Sequence, residues 1–265
     1  MQRELYSLEN AQKFNWSSVS GNLNPERISH LETYLVGKKI LDAGCGGGAY
    51  VEYLSQKGLE VTGVDKYDQF LEVARQKGHK GTYVQGDITN LPFPDKSFDC
   101  TYCFDVLEHV DDVVALKELV RVTEKRLIFT VPQKDEFLQK FGLLPYPYLD
   151  PTHLRYYTKD SIKELVSIVG YSNLQIFTEG MIPFHFLFKE VLTDKKVKSK
   201  SWILRDSYRI KSSNIPLNKF IAKTTDFLLN LVLNFDRLDL ILGAYFNDPE
   251  FYKQINQGLV AVVDL

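Results

Sequence analysis

The chain has few cysteines, methionines and tryptophans: three, two and two among 265 residues. An odd, sparse set of cysteines does not make a disulfide framework, so a reducing cytoplasm is the expected setting. Cys100 and Cys103 form a CxxC pair. It sits in SFDCTYCFDV, which reads as a strand, where positions three apart face opposite sides. Two core cysteines are therefore favoured over a redox or zinc pair, and no metal is expected. No apolar run approaches the roughly 18 residues a spanning helix needs. The first residues, MQRELYSLEN, lack the apolar core of a secretion signal. Neither charge sign dominates: net charge is −2 and the pI is near 6.2. Nothing in that balance draws the chain as a whole to nucleic acid. Internal repeats and low-complexity tracts are also missing.

What is present is an alternation of strand and helix patterns. Residues 38 to 43 (KKILDA) form an apolar run ending in Asp42, followed by a glycine-rich turn from Gly44 to Gly48. A helix should cover Ala49 to Lys57 and stop at Gly58. Further strands are expected at 59–64, 81–85, 98–104 and 126–131, separated by helical stretches. Asp68 is the expected cap of the helix that runs to Lys77. This spacing points to a parallel sheet covered by helices on both faces. Ligands of such sheets bind beyond the carboxyl ends of the strands. Asp42, Asp65, Asp87 and Asp105 all fall at or just past those ends, the first sign of a shared site.

The turn LDAGCGGGAY fits G-x-G-x-G at Gly44, Gly46 and Gly48, and also a dinucleotide fingerprint closed by Ala49. In either reading, missing side chains let backbone approach a ligand. Asp42 separates the two. A pyrophosphate at this turn would meet an opposing carboxylate. S-adenosylmethionine carries no phosphate, and its ammonium and sulfonium suit one. Asp65, at the end of the second strand, is placed to accept both ribose hydroxyls. Asp87, in QGDI, is placed to accept an adenine amino group. A single strand-end Asp is as readily a helix cap or turn residue, but three at successive strand ends argue for a nucleoside site.

The segments LDAGCGGG, VDKYD, QGDITNLPFPDKSFD and CFDVLEHVDD resemble the class I S-adenosylmethionine-dependent methyltransferases, within them the small-molecule group called type 11. The resemblance spans about 38–178 plus the last strand. It implies a doubly wound, Rossmann-like sheet of seven strands in order 3-2-1-4-5-7-6, with GLVAVVDL as the seventh, antiparallel strand. It implies that Asp42, Gly44, Cys45, Gly46 and Gly48 line the methionine side. Asp65 would hold the ribose, with Lys66 beside the adenine and Asp87 and Ile88 flanking it. Phe104, Asp105 and Leu107 would lie under the cofactor. On this reading residues 1–36 are a helical cap. Residues 37–179 and 257–265 form the core, and 180–256 is a helical insertion between the last two strands.

Methyl transfer from a sulfonium is an in-line displacement, so the protein mainly positions and desolvates the nucleophile. The segment DPTHLRYYT follows the fifth strand and clusters His153, Arg155, Tyr156 and Tyr157, the expected substrate contacts. His153 can act as general base, or simply fix the loop. His109 more plausibly orients a loop than does chemistry, and His30 and His79 are expected on the solvated surface. Asparagine-proline-proline after the fourth strand, the mark of amino-adenine methylases, is absent, and Pro132 is not followed by a nucleophilic cysteine. Within the insertion, residues 189–211 carry eight Lys/Arg against three Asp/Glu, flanked by apolar helical stretches. That fits a lid, or peripheral membrane contact through 180–246. The expected activity is transfer of a methyl group to an O or N atom of a small-molecule acceptor, possible acceptors including glycans and lipid-linked compounds. An NAD-dependent oxidoreductase and a non-catalytic S-adenosylmethionine-binding regulator are the competing readings.

Overall fold

The computed structural model describes residues 7–13, 17–134, 152–181 and 256–265. The insertion expected at 180–256 falls almost wholly outside them, as does most of the loop before Thr152. The chain divides into two compact units. The first comprises Met1–Pro132, Leu154–Phe177 and Leu259–Leu265; the second comprises Gln133–His153 and Thr178–Gly258. Of the second unit, the described residues are 133, 134, 152 and 153 and the strand ends at 178–181 and 256–258.

The first unit begins with three helices, α1 (Leu8–Lys13), α2 (Ser17–Ser20) and α3 (Pro25–Tyr34). Asn24 caps α3, its Oδ1 accepting from Glu26 N at 2.9 Å, and Pro25 opens the first turn. Then follow β1 (Lys39–Ala43), α4 (Ala49–Gln56), β2 (Glu60–Asp65), α5 (Asp68–Lys77), β3 (Thr82–Gln85) and β4 (Phe98–Phe104). A 3-10 turn at Leu107–His109 leads into α6 (Asp112–Val122) and β5 (Thr123–Pro132), and after it come α7 (Lys159–Ser167), β6 (Asn173–Met181) and β7 (Asn256–Asp264). The sheet runs β3-β2-β1-β4-β5-β7-β6, the expected order. Its pairings β1–β2, β1–β4, β2–β3 and β4–β5 are parallel.

Alternation along the central strands sorts side chains between two apolar clusters. Ile40, Cys100, Tyr102 and Ile128 pack with Leu31, Val51 and Leu54 on one face. Leu41, Cys103, Leu127 and Phe129 pack with Leu116, Leu119 and Ile162 on the other. Cys100 and Cys103 therefore fall in separate clusters, both buried and free, as the period of two requires. Truncating a fully buried leucine such as Leu41 or Leu119 to alanine costs about 2–5 kcal/mol at such sites.

Three local expectations change. β5 starts at Thr123, three residues earlier than the apolar run suggests, and the β4–β5 register shifts by one residue between Phe98 and Cys100, where β5 carries one extra residue. Tyr67, not Asp68, is the N-cap of α5; Asp68 lies in the first turn and pairs with Arg75 at 3.0 Å. His30 is half-buried rather than solvated, and burial, the largest influence, lowers its pKa.

Candidate active site

The carboxyl ends of β1, β2 and β4 converge on the glycine-rich turn. Gly44 N and Cys45 N donate to Val64 O at 2.8 and 3.0 Å, tying the turn to β2. Gly44, Gly46 and Gly48 hold φ of +89°, +52° and +74°, the left-handed region that favours glycine. The space a side chain would need is taken by protein. A Cβ on Gly44 would collide with Val106, one on Gly48 with the Tyr83 ring, and one on Gly46 would lie 2.6 Å from Ser18 Oγ. These glycines are thus required by backbone conformation and by the close approach of α2, β3 and the turn after β4. Clearing space for a ligand, the expectation from the motif alone, is not needed to explain them.

α4 starts directly from Gly48 with no side-chain cap. Its first N–H groups lack that satisfaction, and the helix dipole makes this end attractive to a carboxylate. The Cys45 side chain is buried in the core, its Sγ 3.7 Å from Gly46 O and 2.7 Å from where a Cβ on Gly63 would lie.

Asp42 is the unusual group. It is only 4% exposed, and its Oδ2 has no hydrogen-bond partner. The Tyr102 hydroxyl nearby is also buried, and hydrogen bonding from it toward Asp42 draws the carboxyl pKa down. Burial dominates, with the charge of Asp65 adding to it, and the Asp42 carboxyl is pushed up to about 8. A buried carboxylate with one unpartnered oxygen is costly, and a ligand cation would relieve it.

Asp65 is buried too, and burial, the leading influence, raises its pKa against three backbone donors. Its Oδ2 accepts from Gly46 N at 2.9 Å and its Oδ1 from Tyr67 N at 2.9 Å. With these bonds the carboxylate holds the glycine turn against the end of β2. With three backbone donors on it, the carboxylate keeps one acceptor position for a ligand hydroxyl.

Asp87 is more committed. Its Oδ2 meets Lys66 Nζ at 2.8 Å, while Oδ1 accepts from Thr89 N and Oγ1 at 3.0 and 2.8 Å. Partial burial raises its pKa, but Lys66 and Thr89 outweigh that and hold the carboxyl at about 2. Lys66 is therefore engaged by Asp87, and Ile88 beside it is buried.

After β4 the chain makes a strained turn. Asp105 has φ +54°, uncommon for a residue with a side chain. Thr130 Oγ1 donates to its Oδ1 at 3.0 Å, and Arg27 of α3 meets its Oδ2 at 2.7 Å. The Arg27 guanidinium also lies 5.3 Å from the centre of the Phe104 ring. Leu107, expected beneath the cofactor, has no exposed surface and belongs to the core; Val106 is the residue that packs on Gly44.

Arg155 and Tyr157 are also placed differently from expectation. Arg155 pairs with Asp112 Oδ1 at 3.0 Å and donates to Val110 O at 2.6 Å. Tyr157 is buried and donates to Asp112 Oδ2 at 2.9 Å. Both are committed to the start of α6. Tyr156 is half-buried. His153 is half-buried and belongs to the second unit.

Arg27, Val106, Tyr83 and Tyr102 were not singled out from the sequence. Arg27 had a weak local signal, since Asn24-Pro25 marks a helix start that places it in the first turn. Its partner Asp105 is distant in the chain, and only the fold joins them.

The methyltransferase domain family matches residues 41–129. Ubiquinone biosynthesis O-methyltransferase of Idiomarina loihiensis is 40% identical over 102 residues, covering 36% of this chain and 42% of that protein. The Proteus mirabilis protein of the same name is 39% identical over 99 residues, 34% of this chain and 40% of its own. The match spans about two fifths of these relatives' length. A methyltransferase from Archaeoglobus fulgidus shares the fold, with a TM-score of 0.61 at 18% identity over 98% of this chain and 100% of its own. Haemonchus contortus phosphoethanolamine N-methyltransferase 2 in complex with S-adenosyl-L-methionine gives 0.58 at 17% identity, over 100% of this chain and 58% of its own. Sheet order, glycine turn and strand-end carboxylates agree with the match at 41–129: that segment resembles the type 11 methyltransferase domain, within a sheet of the class I order.

Proposed function

We propose that the protein transfers a methyl group from S-adenosylmethionine to an oxygen atom of a small-molecule acceptor. The observation that carries this reading is the buried, unpartnered Oδ2 of Asp42 beside the glycine turn. A cationic ligand satisfies that atom, and a pyrophosphate aggravates it. The direction toward oxygen is supported by the O-methyltransferase relatives.

When bound, the cofactor supplies an electrophilic methyl group on a sulfonium. The chain's own residues do the rest. Asp42 would hold the ammonium, and Asp65 would accept from a ribose hydroxyl on its remaining acceptor position. Arg27 and the uncapped start of α4 give the site positive charge, the complement of a carboxylate. Asp87 and Ile88 form the adenine side, with Asp87 accepting in competition with Lys66. Binding in this buried setting excludes water and orients the reactants, a contribution that can reach effective molarities on the order of 10⁵ M or more. A hydroxyl acceptor must lose its proton in the course of the transfer. Among the described residues no helix is long and apolar enough to cross a membrane. A cytoplasmic setting is part of the proposal, in keeping with three buried free cysteines.

The test is incubation of the full chain with methyl-labelled S-adenosylmethionine and a panel of phenols, carboxylates and amines. Label on oxygen of a phenol or carboxylate supports the reading; label only on amines contradicts the direction to oxygen.

A further inference from the structure

The strained residue at the end of β4 raises a question of support. A non-glycine residue at φ +54° persists only where its surroundings over-determine it. Upstream, Asp105 is held by Thr130 and Arg27. Downstream, the next residues carry Val106, which packs on Gly44, and the 3-10 turn Leu107–His109. What fixes that turn comes from after β5. Leu154 N donates to Glu108 O at 2.8 Å. Arg155 Nη1 donates to Val110 O at 2.6 Å, reaches Leu107 O at 3.5 Å and pairs with Asp112 at 3.0 Å. Tyr157 holds the other oxygen of Asp112, and its N–H donates to Pro132 O at 3.0 Å.

We infer that Arg155 is a positioning residue for the cofactor site: it clamps the β4–α6 turn so that Val106 stays against Gly44 and Asp105 stays in its strained conformation. Resting on the cofactor reading above, it assigns to Arg155 a role other than contact with the acceptor. The guanidinium reaches all three acceptors through one terminal nitrogen, Nη1, whose two N–H groups are shared among two carbonyls and a carboxylate. A lysine ammonium ends one bond short of Nη1, so it can keep the charge pairing with Asp112 but not the full set. Truncating Arg155 leaves Val110 O without this donor and Asp112 without its cation. The turn then gains freedom, and the glycine turn loses a fixed neighbour.

The experiment measures S-adenosylhomocysteine affinity by calorimetry, well below the melting temperature, for wild type, Arg155→Lys and Arg155→Ala. Hydrogen exchange of the Leu154 amide is followed in the same proteins. The expected result is a dissociation constant raised about threefold in the lysine variant and about tenfold in the alanine variant, roughly 1.4 kcal/mol by the usual conversion. Exchange at Leu154 should rise in the same order. Should the alanine variant not fold, the lysine variant carries the test. A cooperatively folded variant that binds with wild-type affinity overturns the positioning role, even if its melting temperature has fallen. Failure of the wild type to bind S-adenosylhomocysteine overturns the cofactor reading itself, and this inference with it.

Discussion

Asp42 makes cofactor affinity dependent on pH, and the size of the effect follows from its surroundings. Burial pushes the carboxyl up to about 8, against a pull from Tyr102 and with a push from Asp65. At pH 7 only about a tenth of such groups are ionised, and a ligand ammonium selects that tenth. The apparent dissociation constant is then about tenfold above its limiting value. At pH 9 the penalty has almost gone. An α-amino group, with a pKa of about 7.7–8.0, loses its own charge over the same range. Comparison with Asp42→Asn cancels that ligand contribution. A hydrogen bond to a charged acceptor contributes about 1.5–3 kcal/mol. Wild type should therefore bind S-adenosylhomocysteine about ten- to a hundredfold more tightly than the asparagine variant at pH 9. By pH 6.5 most of that advantage should be lost. Calorimetry at four pH values measures the ratio directly. The sign of the stability effect is opposite. A carboxyl raised above its unfolded pKa favours the folded state at low pH, and this contribution declines as pH climbs from about 4 to about 8. Wild type should lose melting temperature relative to Asp42→Asn across that interval. A wild-type-to-variant affinity ratio constant from pH 6.5 to 9 would refute the reasoning.

Other expected outcomes follow from single contacts. Gly44→Ala meets both a left-handed backbone and Val106; it should cost about 1–3 kcal/mol by thermal unfolding, and adding Val106→Ala should recover only the steric part. Asp99 accepts from Lys38 N and Lys39 N at 2.8 and 2.9 Å and pairs with Lys125 at 2.6 Å. Lys125 foremost, and then those two amides, hold its pKa below the usual carboxylate range. Its contribution is present above the unfolded pKa and is lost as pH falls through the folded one. Asp99→Asn should destabilise by about 1–2 kcal/mol at pH 7 and by less at pH 3, read in denaturant titrations. Arg27→Gln removes the fixed cation beside Asp105 and should weaken S-adenosylhomocysteine binding about tenfold, measured by calorimetry, with a smaller effect on adenosine, which lacks a carboxylate.

The sheet could be read from the chain because its central strands, such as KILDA and FDCTYCF, are buried on both faces and end in carboxylates before glycine or turn residues. Asp42 and Asp65 were legible for the same reason: strand ends and site coincide in this fold. Tertiary partners were not. Nothing local distinguishes an Arg155 that binds a substrate from one that clamps Asp112. The contribution of Leu107, too, depends on which way a strained turn faces. The glycines show the limit most clearly. The motif gives their positions, but Val106, Ser18 and Tyr83, the neighbours that require them, come from three separate stretches of chain.

The most direct test of the central claim is titration of the full chain with S-adenosylmethionine, S-adenosylhomocysteine and NAD, in parallel with Asp65→Ala. Asp65→Ala removes the acceptor position offered to the ribose and the bond that holds Gly46. Micromolar binding of the two adenosyl-sulfur compounds, weakened at least a hundredfold in the variant, on the order of two charged hydrogen bonds, and no binding of NAD is the expected result. Binding of NAD without either adenosyl-sulfur compound would contradict it.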